Sequence, residues 1–242
     1  MAHACIDLAS TNSALNPVTF AHAPTSPASV MIVSMVIGGT SARTGTAPTI
    51  DGVSCSMADE ARYGLEQLVE VWYLCGGFST ASHTISIANT KLLTMNCLSL
   101  AASAGQGQNS YLMDSTGSVY ATWADDAFDG GSINITSGAV GDFLFARVGC
   151  GEASTGSVAE NSANPAKTTI YSADPGAYTA YAYYGVSDGA GEETFTWAWT
   201  NDDGCAILAS FGSSFRPPPQ VSRTIRKNEL TPFFNRKNNM QD

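Results

Sequence analysis

Charge is scarce in this sequence. Asp, Glu, Lys and Arg make up only 13% of its 242 residues, about half the usual share. That excludes coiled coils and charge-rich disordered chains. Histidine is scarcer still, with His3, His22 and His83 alone. A Ser–His–Asp triad would have to use one of them, and no GxSxG elbow accompanies them. Long apolar runs are missing. Val30-Met31-Ile32-Val33-Ser34-Met35-Val36-Ile37 is the longest, far short of the ~20 residues of a spanning helix. The start carries Asp7 and has neither a basic region nor an apolar stretch of the kind a secretion signal needs. The expectation is a soluble chain made in a cytosol, without membrane contact. The six cysteines, at 5, 55, 75, 97, 150 and 205, form no CxxC pair, so zinc-site spacing is absent. Their positions at the ends of apolar runs suit free, buried thiols, with a disulfide as the alternative. No metal and no cofactor is expected. No internal repeat of fixed period stands out.

What is present is apolar content, 44% of the chain with 10% aromatics, enough for a sizeable core. Its dominant pattern is short alternation broken by Gly, Ser, Asn and Asp clusters, the mark of strands and turns. Strand-like runs recur near 18–20, 28–37, 47–55, 67–75, 82–89, 92–101, 118–123, 132–136, 141–149, 167–172, 178–186, 192–200 and 204–213. Ser56 to Gln67 alone could hold a short helix. Val30 to Ile37 and Phe143-Leu144-Phe145-Ala146 are apolar on both faces, as strands at the centre of a sandwich or under a neighbouring subunit must be. Thr194 to Thr200 alternates cleanly, turns at Asn201-Asp202-Asp203-Gly204 and reads as one arm of a hairpin returning through Cys205 to Phe211. The pattern predicts an all-β, two-sheet antiparallel sandwich. Its organisation reads as an unpatterned N-terminal segment (1–16), a β-sandwich domain (17–215) and an arm (216–242) opened by Pro217-Pro218-Pro219, which cannot continue a central strand.

Candidate catalytic groups read more simply as structure. Asp125, Asp126 and Asp129, Glu192-Glu193 and Asp202-Asp203 are the densest carboxylates. They sit at turns, and adjacent members of a strand point to opposite faces, which does not suit paired-carboxylate chemistry. Asp125 to Gly131 could be read as a calcium loop but lacks the terminal Glu of an EF-hand. Asn134-Ile135-Thr136 matches a glycosylation sequon, as chance would supply. Phe195, Trp197 and Trp199 share one face of a strand, either as core or as a flat sugar-binding platform, with core favoured. Tyr181 and Tyr183 oppose Tyr178 and Tyr184, so one pair is expected near the surface or an interface. No catalytic residue is assigned, and the chain reads as a non-enzyme.

The charge is unevenly placed. Through Phe215 there are 19 acids and 5 bases; from Arg216 onward there are 6 bases and 2 acids. An acidic body argues against nucleic acid as the partner. The arm places Arg223, Arg226, Lys227, Arg236 and Lys237 around Phe233 and Phe234. A basic segment with an aromatic pair could bind nucleic acid by charge and stacking or be simply a solvated tail; it best suits an acidic protein surface, the aromatics anchoring in a pocket.

The order of several strands carries a resemblance. Val18-Thr19-Phe20-Ala21-His22-Ala23-Pro24 leads into Val30 to Ile37. Pro48 to Val53 and Val69-Glu70-Val71-Trp72-Tyr73-Leu74 follow, then Ser82-His83-Thr84-Ile85-Ser86-Ile87, and later Ser137-Gly138-Ala139-Val140-Gly141-Asp142-Phe143-Leu144. Over roughly 17–213 this resembles a jelly-roll domain recurrent in virion proteins of tailed bacteriophages and in related bacterial proteins. The resemblance implies a structural, non-enzymatic virion protein: a capsid decoration (cement) protein, or a head-fibre or tail receptor-binding protein. It implies the major capsid protein or another virion protein as partner, a closed homo-oligomer such as a trimer, and residence in the virion after synthesis in the host cytoplasm. A bacterial carbohydrate-binding module is the reading from another class. The arm lies outside the resemblance.

Overall fold

The computed structural model describes residues 4–13, 17–38, 46–63, 67–88, 95–103, 112–123, 131–136, 141–151, 159–160, 168–173, 178–187, 192–198 and 204–212. All secondary structure among them is β. The first half contributes β1 (Ala4–Ser13), β2 (Val18–His22), β3 (Ala28–Gly38), β4 (Thr49–Ile50), β5 (Val53–Ser54), β6 (Ser56–Tyr63), β7 (Gln67–Phe78), β8 (His83–Ile87) and β9 (Met95–Ser103). The second contributes β10 (Leu112–Trp123), β11 (Gly131–Thr136), β12 (Phe143–Gly151), β13 (Ala159–Glu160), β14 (Thr168–Ala173), β15 (Tyr178–Val186), β16 (Glu192–Ala198) and β17 (Gly204–Gly212).

The antiparallel pairing is nested. β1 pairs with β9, β2 with β8 and β3 with β7. In the second half β10 pairs with β17, β11 with β16 and β12 with β15. A long hairpin nested in this way rolls up into the Greek keys of a jelly roll. The sheet orders of the first half are β1-β9-β3-β7-β6 and β2-β8-β4-β5; those of the second are β10-β17-β12-β15-β14 and β11-β16-β13. Among the described residues the two sets correspond, with β13 in the place of β4, except that β5 has no counterpart.

Four sheets therefore stack as layers. The first outer sheet (β2, β8, β4, β5) covers one face of the first inner sheet through Val18, Ile50, Ile85 and Ile87 against Met31, Val33, Met35 and Trp72. The other face of that inner sheet, with Val30, Ile32, Val36, Val69, Leu98 and Leu100, meets Phe143, Phe145, Ala182, Ile207 and Phe211 of the second inner sheet. On the far side of the latter, Leu144, Val148, Tyr183 and Leu208 pack on Ile133, Ile135 and Phe195 of the second outer sheet. β3 and β12 sit at the centres of the inner sheets and are covered on both faces. This is why their sequences are apolar without alternation.

The all-β antiparallel sandwich reading holds, and the structure refines it. The chain forms two sandwiches of one topology where one was expected. The unpatterned N-terminal segment contains β1, which pairs along its length with β9. Residues 56–63 form β6 against β7 and not a helix; a bulge between Met57 and Asp59 obscures the period-two pattern. Residues 47–55 split at Asp51 (φ 50°) and Gly52 (φ 80°). Two consecutive positive φ values make the tight type I′ turn that Asp-Gly favours. β16 and β17 do not form a hairpin. They belong to different sheets, β16 to the second outer and β17 to the second inner one.

Register exposes the correspondence of the halves. Ile32 lies between Tyr73 and Leu100. Its counterpart Phe145 lies between Tyr184 and Ala209. By the same register Val36 corresponds to Gly149, and these two meet where the inner sheets face. A Cβ at Gly149 would lie 2.7 Å from Val36 Cγ1 and 3.1 Å from Val69 Cγ2. β-Branched valines between fixed strands yield little. Gly149→Ala is expected to destabilise the fold by about 1–3 kcal/mol through overpacking, measured by urea denaturation. Combined with Val36→Ala it should cost less than the two single changes together.

Candidate functional site

The first half holds a polar corner at the Asp51-Gly52 turn. The type I′ geometry aims the Asp51 carboxylate at β8. Its Oδ1 accepts the Thr84 N–H at 2.8 Å, and its Oδ2 lies 2.7 Å from His83 Nδ1. The Asp51 N–H donates to the Thr84 carbonyl at 2.9 Å. On the other side of the ring, His83 Nε2 stands 3.1 Å from the Ser79 carbonyl oxygen. Both ring nitrogens thus face acceptors, which only the imidazolium satisfies with two donated bonds. The Asp51 hydrogen bond accordingly raises the His83 pKa, with Ser79 adding to it against burial. The His83 hydrogen bond, then that from Thr84, lowers the Asp51 carboxyl. The ring edge of Phe78 closes the corner, with centroids 5.5 Å apart.

His22 pairs directly across the strands with His83 and points into the same core. Its Nδ1 lies 2.8 Å from Ser99 Oγ. Ser99 is on β9, so this bond ties the outer sheet to the inner one. The Ser–His pair is sealed from solvent, with Ser99 fully buried and His22 2% exposed. No ester or amide could reach it, so it acts as a brace.

Two further polar groups were not singled out from the sequence. Glu70 is fully buried on β7, and its Oε2 accepts the Trp72 indole N–H at 2.8 Å. It stands opposite Glu60 of β6, which pairs with Arg62 at 2.9 Å. Like charges directly opposite destabilise a sheet; here Arg62 and Trp72 each serve one carboxylate. Arg147 is fully buried on β12. It donates to Asn96 Oδ1 and, at 3.3 Å, to the Asn96 carbonyl on β9. That contact joins the two inner sheets. The available sequence signal was a lone charge inside an apolar strand: Glu70 in Val69–Leu74, Arg147 in Phe143–Val148.

The remaining candidates disperse. Glu192 and Glu193 lie on β16 opposite Thr136 and Ile135. Asp125, Asp126, Asp129, Asp202 and Asp203 lie outside the described residues, as does Trp199. Phe195 is fully buried, as the core reading required. Tyr181 and Tyr183 stack at 6.3 Å within the second sandwich. Tyr184 faces the other way and stacks on Phe143 at 5.6 Å, in the contact between halves. Of the other pair, Tyr184 thus lies at an internal interface. Cys55, Cys75, Cys97 and Cys205 are free thiols; desolvation pushes Cys55 up to about 12 and Cys75 up to about 11. Arg223, Arg226, Lys227, Phe233, Phe234, Arg236 and Lys237 lie outside the described residues. Among the described residues no group of three His, Cys, Asp or Glu is placed to hold a metal ion, and no helix is long and apolar enough to cross a membrane.

No family model, no curated protein and no solved structure matches this chain.

The corner makes a pH-dependent contribution to stability. His83 has a raised folded pKa, so its share is complete below the ordinary histidine value of 6.5 and is lost as pH rises through the folded value. Asp51 has a lowered one, so its share is complete above 3.8 and is lost as pH falls through the folded value. Asp51→Asn keeps the turn, because Asn tolerates positive φ. It should lower stability by up to about 1 kcal/mol between pH 4 and 6.5, the range of exposed pairs. The difference from wild type should shrink above that window, as followed by denaturation across pH. Separately, the thiols of Cys55 and Cys75 should react with a disulfide reagent at pH 8 at least ~100-fold more slowly in the native protein than in guanidinium, since the thiolate is the nucleophile.

Proposed function

We propose that the chain is a structural virion protein, a capsid decoration or cement protein that stabilises a phage head through surface contacts and its C-terminal arm. The observation that carries this reading is how polar side chains tie layers and strands together. His22–Ser99 joins the first outer and inner sheets, and Arg147–Asn96 joins the two inner sheets. Asp51–His83 fastens the β4–β5 turn to β8. Each bond ties one layer or strand to another, which suits a rigid body acting by shape and attachment rather than by turnover. The strand resemblance to phage virion jelly rolls and the nested jelly-roll pairing support the same role.

Under this reading the partner is the major capsid protein or another virion protein, met by a homo-oligomer of this chain, and the chain resides in the virion. The arm, residues 216–242, is the attachment element. At ~3.3 Å per extended residue, 27 residues reach on the order of 80–90 Å, enough to cross onto a neighbouring subunit. Gradient-purified particles should contain the chain in fixed ratio to the main shell protein, read by quantitative mass spectrometry. Deleting 217–242 should remove it from particles while its far-ultraviolet circular dichroism stays that of the full chain. Particles lacking the full-length chain would refute the virion role; undiminished attachment of the truncated chain would refute the role of the arm.

A further inference from the structure

One short segment forms the rim of two layers. β5 is the last strand of the first outer sheet and β6 the last strand of the first inner sheet, and only Cys55 separates them in sequence. Val53 and Met57, 55% and 40% exposed, are the exposed large apolar side chains among the described residues. Acids bracket them: Asp51, whose side chain is 50% exposed, on one side, and Asp59 and Glu60 on the other, with His83 beside Asp51 and Arg62 beside Glu60 as the local cations. The bulge between Met57 and Asp59 breaks the regular edge, so recognition here would run through side chains rather than a long added strand.

The arm carries the complementary pattern. Arg226-Lys227 precede and Arg236-Lys237 follow the pair Phe233-Phe234. We propose that the β5–β6 rim is the receptor for the C-terminal arm of a second copy of this chain. Phe233 and Phe234 cover Val53 and Met57, and the arm's cations face Asp51, Asp59 and Glu60. Methionine adapts its shape and favours aromatic contact. The root of the arm supports exchange between copies. Phe211, at the end of β17, touches Tyr73 at 5.4 Å, and Tyr73 pairs with Ser56 at the start of β6. Root and receptor are thus neighbours on one body. Pro217-Pro218-Pro219 opens the arm in sequence, and such a run favours an extended chain. Copies set rim to rim can then exchange arms reciprocally, as a closed symmetric oligomer requires. The inference rests on the arm being the partner contact, and it does not need a capsid.

The test uses the full-length chain. Sedimentation at low salt should show an oligomer. Its dissociation constant should rise at least tenfold in 0.5 M salt, in Val53→Asp/Met57→Asp and in Phe233→Ser/Phe234→Ser. Both variants should keep the wild-type circular dichroism and melting temperature. A benzophenone amino acid in place of Phe233, in a mixture of nitrogen-15-labelled and unlabelled chains, should cross-link to residues 51–63 in mixed-isotope pairs. A monomer at all concentrations, cross-links within one isotope only (the arm on its own body), cross-links elsewhere, or a rim variant that associates normally would each overturn the proposal. Copurification with particles is a separate readout, so the virion role and the arm receptor can fail independently.

Discussion

The face-to-face contact of the two inner sheets carries the rest of the fold. Each of these sheets is apolar on both sides, and neither side can be left to water. β3 presents Val30, Ile32 and Val36 to the other half, and Met31, Val33, Met35 and Ile37 to its own outer sheet. β12 does the same with Phe143 and Phe145 on one side, and Leu144, Ala146 and Val148 on the other. Each fully buried side chain of this size contributes roughly 1.5–3 kcal/mol relative to exposure. A half alone would expose an entire sheet face. The two sandwiches thus depend on each other although each has its own nested antiparallel pairing.

That contact is made specific by differences between corresponding positions. Val36 meets Gly149, its counterpart, because one is large and the other lacks a side chain. Arg147 corresponds to Ser34, and Asn96 to Cys205, so the polar brace exists once and has no mirror image. Burying a guanidinium carries a desolvation cost of several kcal/mol. A buried charge of this kind penalises any packing that takes it away from Asn96, which opposes sliding of one apolar sheet over the other. His22–Ser99 plays the equivalent part between the first outer and inner layers. The same use of polarity runs through the molecule and underlies the scaffold reading of its function.

Much of this was legible in residues. Alternation located most strands, and unbroken apolarity marked β3 and β12 as central. What could not be read has definite causes. The duplication is hidden because corresponding core positions share burial and not identity: Val30 and Phe143, Ile32 and Phe145, Val71 and Ala182. The Asn201 to Gly204 turn has hairpin chemistry, yet hairpin and sheet-crossing turns use the same residues, and only the layer positions of β16 and β17 separate them. The first strand lies at a sheet edge, where it pairs with β9, and its sequence shows no apolar stripe. In the polar corner, His83 was visible at the start of a strand, but Asp51 lies 32 residues away, and no spacing rule connects them. Glu70 and Arg147 were passed over because the apolar residues around them dominate the pattern.

By itself the sequence determined the class of the fold, short strands in an antiparallel sandwich, and the uneven charge along the chain, acidic through Phe215 and basic after it. Those properties follow from local chemistry, from period-two burial, turn residues and charge along the chain. Tertiary structure alone decided that there are two sandwiches, that their inner sheets face each other, and which polar groups meet. Such facts depend on contacts between residues tens to a hundred positions apart, where the chain fixes only that a face is apolar and packing selects what covers it.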